Sequence, residues 1–179
     1  MTHDLQRIQI KMAVVVPPDL GLDPLVGIFA RWRQDKEHPA EWVDLADYAH
    51  VPQGPGIVLI GKRGNLSLDF SGFPGILYAA KKGLGGTPVE RILSALRSCL
   101  ELCHRLTAEP EFPAGVEVQT GTLSIAFNDR LETPNDAATD QALRPAIQQA
   151  FDLLYGKDAW QMFPQSDPGE CYGFTVKAA

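Results

Sequence analysis

Two short segments combine basic residues with glycines, and together they could bind an anion. The first is a predicted hairpin turn that carries Lys62 and Arg63. The second, residues 81–87, leads from a predicted strand to the start of a helix and contributes Lys81, Lys82, Gly85, Gly86 and Thr87. The N–H groups at the N-terminus of a helix attract an anion, and glycines let it approach the backbone. We therefore expect a small anionic ligand at these residues, the alternative being a flexible surface loop.

The charge distribution supports this expectation. The 179 residues have a net charge of -6, yet residues 62–105 hold seven basic and three acidic residues, a local charge of +4. An acidic chain is a poor match for the phosphates of nucleic acid, so we expect no nucleic-acid partner. A local basic patch fits an anionic small molecule, or the acidic part of a protein partner or of a second copy. The alternative is that these charges are scattered over a solvated surface.

A second candidate site lies in residues 42–51, whose apolar residues fit either a strand or a helix and which we predict to be a strand. The alternation of this strand places Asp47 on the same side as Val43 and Leu45, toward the apolar layer. A carboxylate held there could act as a general base, with His50 close by in sequence. This pattern predicts Asp47 and His50 as the catalytic residues of a small acid-base hydrolase or isomerase. The alternative is a buried aspartate that accepts hydrogen bonds and fixes the loop over residues 52–56.

The cysteines indicate packing rather than metal binding. Cys99 and Cys103 lie four residues apart on the apolar stripe of a predicted helix, whereas His104 points to another side. One tetrahedral site could not easily use all three, so we predict core thiols, no metal and no cofactor. The odd total of three cysteines, the absence of a signal-peptide pattern and the lack of a long apolar run predict a cytoplasmic location and no membrane span.

These candidate sites must be positioned by short strands and three helices. Alternating or continuous apolar residues predict strands over residues 8–16, 42–51, 57–60, 66–70, 76–80, 116–119, 122–127, 159–163 and 172–176. Helix starts are predicted at Asp23, as an N-cap, and at Thr87, where Glu90 completes a capping box. Apolar residues from Leu143 to Leu154 mark a third helix that should stop at Gly156, with Pro145 in its early turns or bending it.

The order of these elements predicts one α+β domain over residues 1–179. Runs of strands between single helices favour a mainly antiparallel sheet of about eight strands with three helices packed on it. A β-α-β-β unit can be read twice, starting at Ile8 and again at Ile76.

Several segments also resemble one protein family. The resemblance lies in residues 44–52 (DLADYAHVP), 54–56 (GPG) and 65–69 (NLSLD), and later in residues 127–131 (FNDRL) and 134–135 (PN). These segments are similar to those of an uncharacterised bacterial family of similar length. The resemblance covers most of the chain and implies no activity.

Three functions follow as expectations. The first is a non-enzymatic protein that binds a small anionic molecule or a protein partner through Lys62, Arg63 and residues 81–87. The second is the acid-base enzyme that uses Asp47 and His50. The third is a structural subunit of a larger assembly, for which a broad apolar patch and self-association are the expected signs.

Overall fold

The computed structural model describes residues 4–167 and 169–179. Within them the strands are β1 (Ile8–Val15), β2 (Trp42–Tyr48), β3 (Gly56–Gly61), β4 (Gly64–Asp69), β5 (Gly75–Ala80), β6 (Glu117–Phe127), β7 (Trp160–Pro164) and β8 (Gly173–Ala178). The helices are α1 (Asp23–Gln34), α2 (Pro88–Thr107) and α3 (Ala137–Tyr155).

The strands form one sheet in the order β2-β3-β4-β5-β1-β6-β8-β7. Every neighbouring pair is antiparallel. This confirms the predicted α+β fold with a mainly antiparallel sheet and three helices. The central strands β5 and β1 are therefore far apart in sequence, and only the fold brings them together.

The core lies between one face of the sheet and the helices. In β1, Ile8, Ile10 and Met12 are buried on this side, as the alternation of the strand requires. Helix α2 contacts β1 and β5, and α1 contacts β2 and β3. The opposite face of β1 carries Gln9 and Lys11. We call this second side of the sheet the open face.

The segment predicted as two strands joined near Gly121 is the single strand β6. The irregularity appears instead in its pairing with β1, where the register shifts between Met12 and Val14. Because β6 is not divided, the second β-α-β-β unit predicted from Ile76 is absent: β5 is followed by α2, β6 and α3.

The helix starts agree with the prediction in one case and differ in two. The capping box between Thr87 and Glu90 is present at the start of α2. In α1, Asp23 is the first helical residue rather than the cap. Helix α3 begins at Ala137 because the Asp136 side chain accepts a 2.8 Å hydrogen bond from Thr139 N, so Pro145 lies well inside the helix.

The two helical cysteines are core residues, as predicted. Cys99 and Cys103 are buried with their Sγ atoms 4.0 Å apart. The contact with Cys103, together with burial, raises the pKa of the Cys99 thiol well above its ordinary value. In the part of the chain that the structure describes, no helix is both long and apolar enough to cross a bilayer.

Candidate functional site

A cleft opens between α2 and one end of the sheet, and we call it the helix-side cleft. Its volume is about 670 Å³, within the range of small-molecule sites. Its walls come from the turn after β3, the segment after β5, residues 38–40 and one face of α2. The lining residues are His38, Pro39, Ala40, Arg63, Tyr78, Lys81, Lys82, Gly83, Leu84, Ser94, Ser98, Glu101, Leu102 and Arg105.

The fold brings the two predicted basic segments together at this cleft. Lys81 N donates a 2.9 Å hydrogen bond to the carbonyl of Arg63, because β4 and β5 are neighbours. The Lys81 Nζ atom donates to the carbonyl of Gly61 at 2.8 Å, a contact that joins the segment after β5 to the end of β3. Arg63, Lys81 and Lys82 all line the cleft. Three basic residues that the sequence places in two separate segments therefore lie at one cavity.

Lys62 is placed differently from its neighbour Arg63. Its Nζ atom forms a 2.7 Å ion pair with the Glu41 carboxylate, and it is not among the residues that line the cleft. The Arg63 guanidinium lies 3.8 Å from the same carboxylate and stays largely exposed. Lys62 thus balances the charge of Glu41, while Arg63 contributes positive charge to the cleft.

The start of α2 does not offer the anion site predicted for Gly85, Gly86 and Thr87. The Glu90 carboxylate accepts a 2.7 Å hydrogen bond from Thr87 N, so the chain supplies its own anion at this helix end. The same hydrogen bond lowers the pKa of Glu90. A Cβ atom at Gly86 would lie 2.6 Å from a Glu90 carboxylate oxygen. The capping contact between Thr87 and Glu90 is therefore sufficient reason for a glycine at residue 86. None of these three residues lines the cleft.

Asp47 and His50 lie outside the helix-side cleft, and both are exposed. The burial predicted for Asp47 is wrong, although β2 is the strand that the pattern predicted. The reason is that β2 is an edge strand in which only Trp42 is buried, whereas Val43, Asp44, Asp47 and Tyr48 are exposed. The Asp47 carboxylate accepts a 2.8 Å hydrogen bond from Ala49 N and so shapes the following turn.

His38 lines the cleft, but no sequence pattern had singled it out. Its Nδ1 atom accepts a 3.1 Å hydrogen bond from Ala40 N, and its ring stacks on Trp42 with centroids 5.1 Å apart. Burial and the positive charge of Arg105 lower its pKa. The ring is therefore held neutral, and its remaining N–H at Nε2 is a donor.

The wall formed by α2 adds a fixed cation and hydroxyl groups. The Arg105 guanidinium bonds to Asp35 at 3.1 Å and lies 4.1 Å from the Trp32 ring centroid. Ser94 and Ser98 occupy the same side of the helix, one turn apart. Tyr78 is buried beside Ser98, and this burial raises the pKa of its phenol. These contacts come from distant parts of the chain, so sequence spacing could not reveal them.

Comparison with protein-family models and with curated proteins yields no match. The geometry of the cleft is therefore the basis for the functional inference. In the residues that the structure describes, no group of three or more His, Cys, Asp or Glu side chains is arranged to hold a metal ion.

The lowered pKa of His38 predicts a pH-dependent stability. In the unfolded chain, His38 binds a proton near its ordinary pKa of 6.5, whereas in the folded protein its pKa is lower. The contribution of the neutral His38 ring to the free energy of unfolding is therefore fully present above pH 6.5. It is lost as the pH falls through the lowered pKa of the folded state. In urea unfolding, wild type should lose more stability between pH 7.5 and 5.5 than a His38→Phe variant, which keeps the ring stack. Equal losses would contradict this assignment.

Proposed function

We propose that the protein binds a small anionic molecule in the helix-side cleft. The observation that carries the proposal is the convergence of four cationic side chains, Arg63, Lys81, Lys82 and Arg105, on one cavity with a single lining carboxylate, Glu101. Low-dielectric walls concentrate the field of such charges and attract an oppositely charged ligand. We propose ligand binding at this cleft and assign no chemical reaction to it.

The uncharged groups of the cleft suit the same ligand. The neutral His38 ring and the hydroxyls of Ser94 and Ser98 can donate hydrogen bonds to carboxylate or phosphate oxygens. Leu84 and Leu102 offer apolar surface to a hydrocarbon part of the ligand. An acidic protein segment is a second occupant that these charges fit, although the cleft volume of about 670 Å³ favours a small molecule.

The test removes the cleft cations and measures anion binding. Isothermal titration with pyrophosphate and with citrate would compare wild type with an Arg63→Ser, Lys81→Ser, Lys82→Ser variant. We expect affinity to fall about 10- to 100-fold, because each surface charge contributes up to about 1 kcal/mol. Binding by wild type should also weaken as salt increases.

A matched control distinguishes the cleft from the net charge of the molecule. The variant Arg130→Ser, Lys157→Ser, Lys177→Ser also removes three exposed cations, none of which lines the cleft. It should bind both anions within about twofold of wild type, since distant exposed charges are screened by salt. Equal losses in the two variants, or binding by neither wild type nor control, would overturn the proposal.

A further inference from the structure

A second hollow lies at the same end of the sheet, and we call it the open-face hollow. It opens beside residues of β1, β4 and β5, and its volume is about 470 Å³. Gln9, Asn65 and Ala79 from these three strands line it. This volume is enough for a small ligand.

Short side chains on the open face create the hollow. Gln9 pairs with Ala79 on one side and with Ala126 on the other, and Ala79 also pairs with Asn65. Alanine next to longer side chains leaves space above the sheet. A larger side chain at residue 79 would therefore fill the hollow from its floor.

The charged residues that line this hollow are all cations. They are Arg7, Lys81 and Lys82. Two carboxylates lie nearby: Asp129 is 3.8 Å from Arg7 Nε, and Asp4 is bonded to Arg91. Because no carboxylate is part of the lining, the hollow suits an anionic group.

Amide side chains supply the uncharged polar part of the lining, and they belong to Gln9, Asn65 and Asn128. Asn65 Oδ1 is buried and has no hydrogen-bond partner, one of two such side-chain atoms among the described residues. Gln9 and Asn65 both line the hollow, and amide side chains can exchange hydrogen bonds with sugar hydroxyls as donors and as acceptors. Asn128 Oδ1 faces the Cys171 thiol at 3.6 Å, which leaves the Asn128 NH₂ group to donate.

We infer that the open-face hollow binds a sugar phosphate, with its phosphate at Arg7, Lys81 and Lys82 and its hydroxyls at the amide side chains of Gln9, Asn65 and Asn128. Inorganic phosphate would leave the amide side chains without hydroxyl partners, and a free sugar would make no use of the positive charge at the hollow. The ligand class thus follows from the combination of cations and amides. The site goes beyond the proposed function, because it lies on the other face of the sheet.

The two sites share Lys81 and Lys82, so their removal cannot separate them. Asn65 and Ala79 line only the open-face hollow, and Ser98 lines only the helix-side cleft. Residue-specific NMR signals of Asn65 and Ser98 therefore report on one site each.

The test titrates ¹⁵N-labelled protein with ribose 5-phosphate and glucose 6-phosphate, and separately with inorganic phosphate and glucose. Either sugar phosphate should shift the Asn65 side-chain NH₂ signals saturably, and glucose should not. Ala79→Leu should weaken this binding about tenfold or more by filling the hollow. Ala46→Leu makes the same change on the open face of β2 and should leave the affinity unchanged. Asn65→Ala should bind sugar phosphate no better than inorganic phosphate.

Three results would overturn the inference. The first is that neither sugar phosphate shifts the Asn65 signals, and the second is that wild type binds inorganic phosphate as tightly as sugar phosphate. The third is that Ala79→Leu binds sugar phosphate as tightly as wild type. If pyrophosphate shifts the Ser98 signal while neither sugar phosphate shifts the Asn65 signals, the helix-side cleft stays supported and the open-face site fails. If a sugar phosphate shifts the Asn65 signals while pyrophosphate leaves the Ser98 signal unchanged, the open-face site is supported and the helix-side cleft fails.

Discussion

Replacement of Lys11 with methionine is expected to lower the free energy of unfolding by about 3–5 kcal/mol, because it leaves a buried carboxylate without its counterion. The side chains of Lys11 and Asp69 are only 7% and 6% exposed, and the Nζ and Oδ1 atoms lie 2.5 Å apart. Removal of one member of such a pair leaves the other charge desolvated and uncompensated.

The lysine also fixes the turn between β4 and β5. Its Nζ atom donates to the carbonyl of Ser71 at 2.7 Å and lies 4.7 Å from the Phe73 ring centroid. The Asp69 carboxylate accepts from Ser71 N at 3.1 Å. Burial lowers the pKa of Lys11, and Asp69 opposes this shift. The ion pair thus ties β1 to a turn that follows β4, across β5.

Urea unfolding of three proteins tests this account. Wild type is compared with Lys11→Met and with the double variant Lys11→Met, Asp69→Asn. The double variant should recover a large part of the loss, because the asparagine is neutral and can still accept from Ser71 N. If the double variant is no more stable than Lys11→Met, the loss comes from packing of the lysine stem and not from the unpaired carboxylate.

The Lys11 pair shows which part of the fold is visible in the sequence. Alternation in β1 predicts that Ile10 faces the core and Lys11 faces away, and both placements are confirmed. The pattern does not predict burial of Lys11, because that depends on Asp69 and Phe73 reaching it from another part of the sheet. Local patterns encode which face a residue occupies, whereas sheet order decides its neighbours.

The same distinction applies to the candidate site. The basic residues Arg63 and Lys81 were visible because charge and turn signals are local. His38 and Arg105 contribute to the cleft only because α2 packs across the sheet next to residues 38–40. Asp47 shows the converse error: β2 is a strand as predicted, but the register shift after Trp42 and the position of β2 at the sheet edge leave both Val43 and Asp47 exposed.

Replacement of Gly56 with alanine should lower the free energy of unfolding by about 2–5 kcal/mol, from two separate causes. Gly56 has a φ of +59°, a left-handed conformation that costs about 1–2 kcal/mol for other residues. A Cβ atom there would lie 2.4 Å from the backbone carbonyl oxygen of Leu68. Relief of this clash would require β3 and β4 to move apart, at a cost of about 1–3 kcal/mol.

Gly72 separates the two causes within the same chain. Its φ is +70°, and an added Cβ atom would meet nothing within 4 Å. Gly72→Ala should therefore cost only the conformational term, about 1–2 kcal/mol. The difference between the two variants in urea unfolding measures the contact between Gly56 and the Leu68 carbonyl. Since that contact sets how closely β3 approaches β4, equal losses would mean that the sheet yields at this point and that backbone conformation alone requires glycine there.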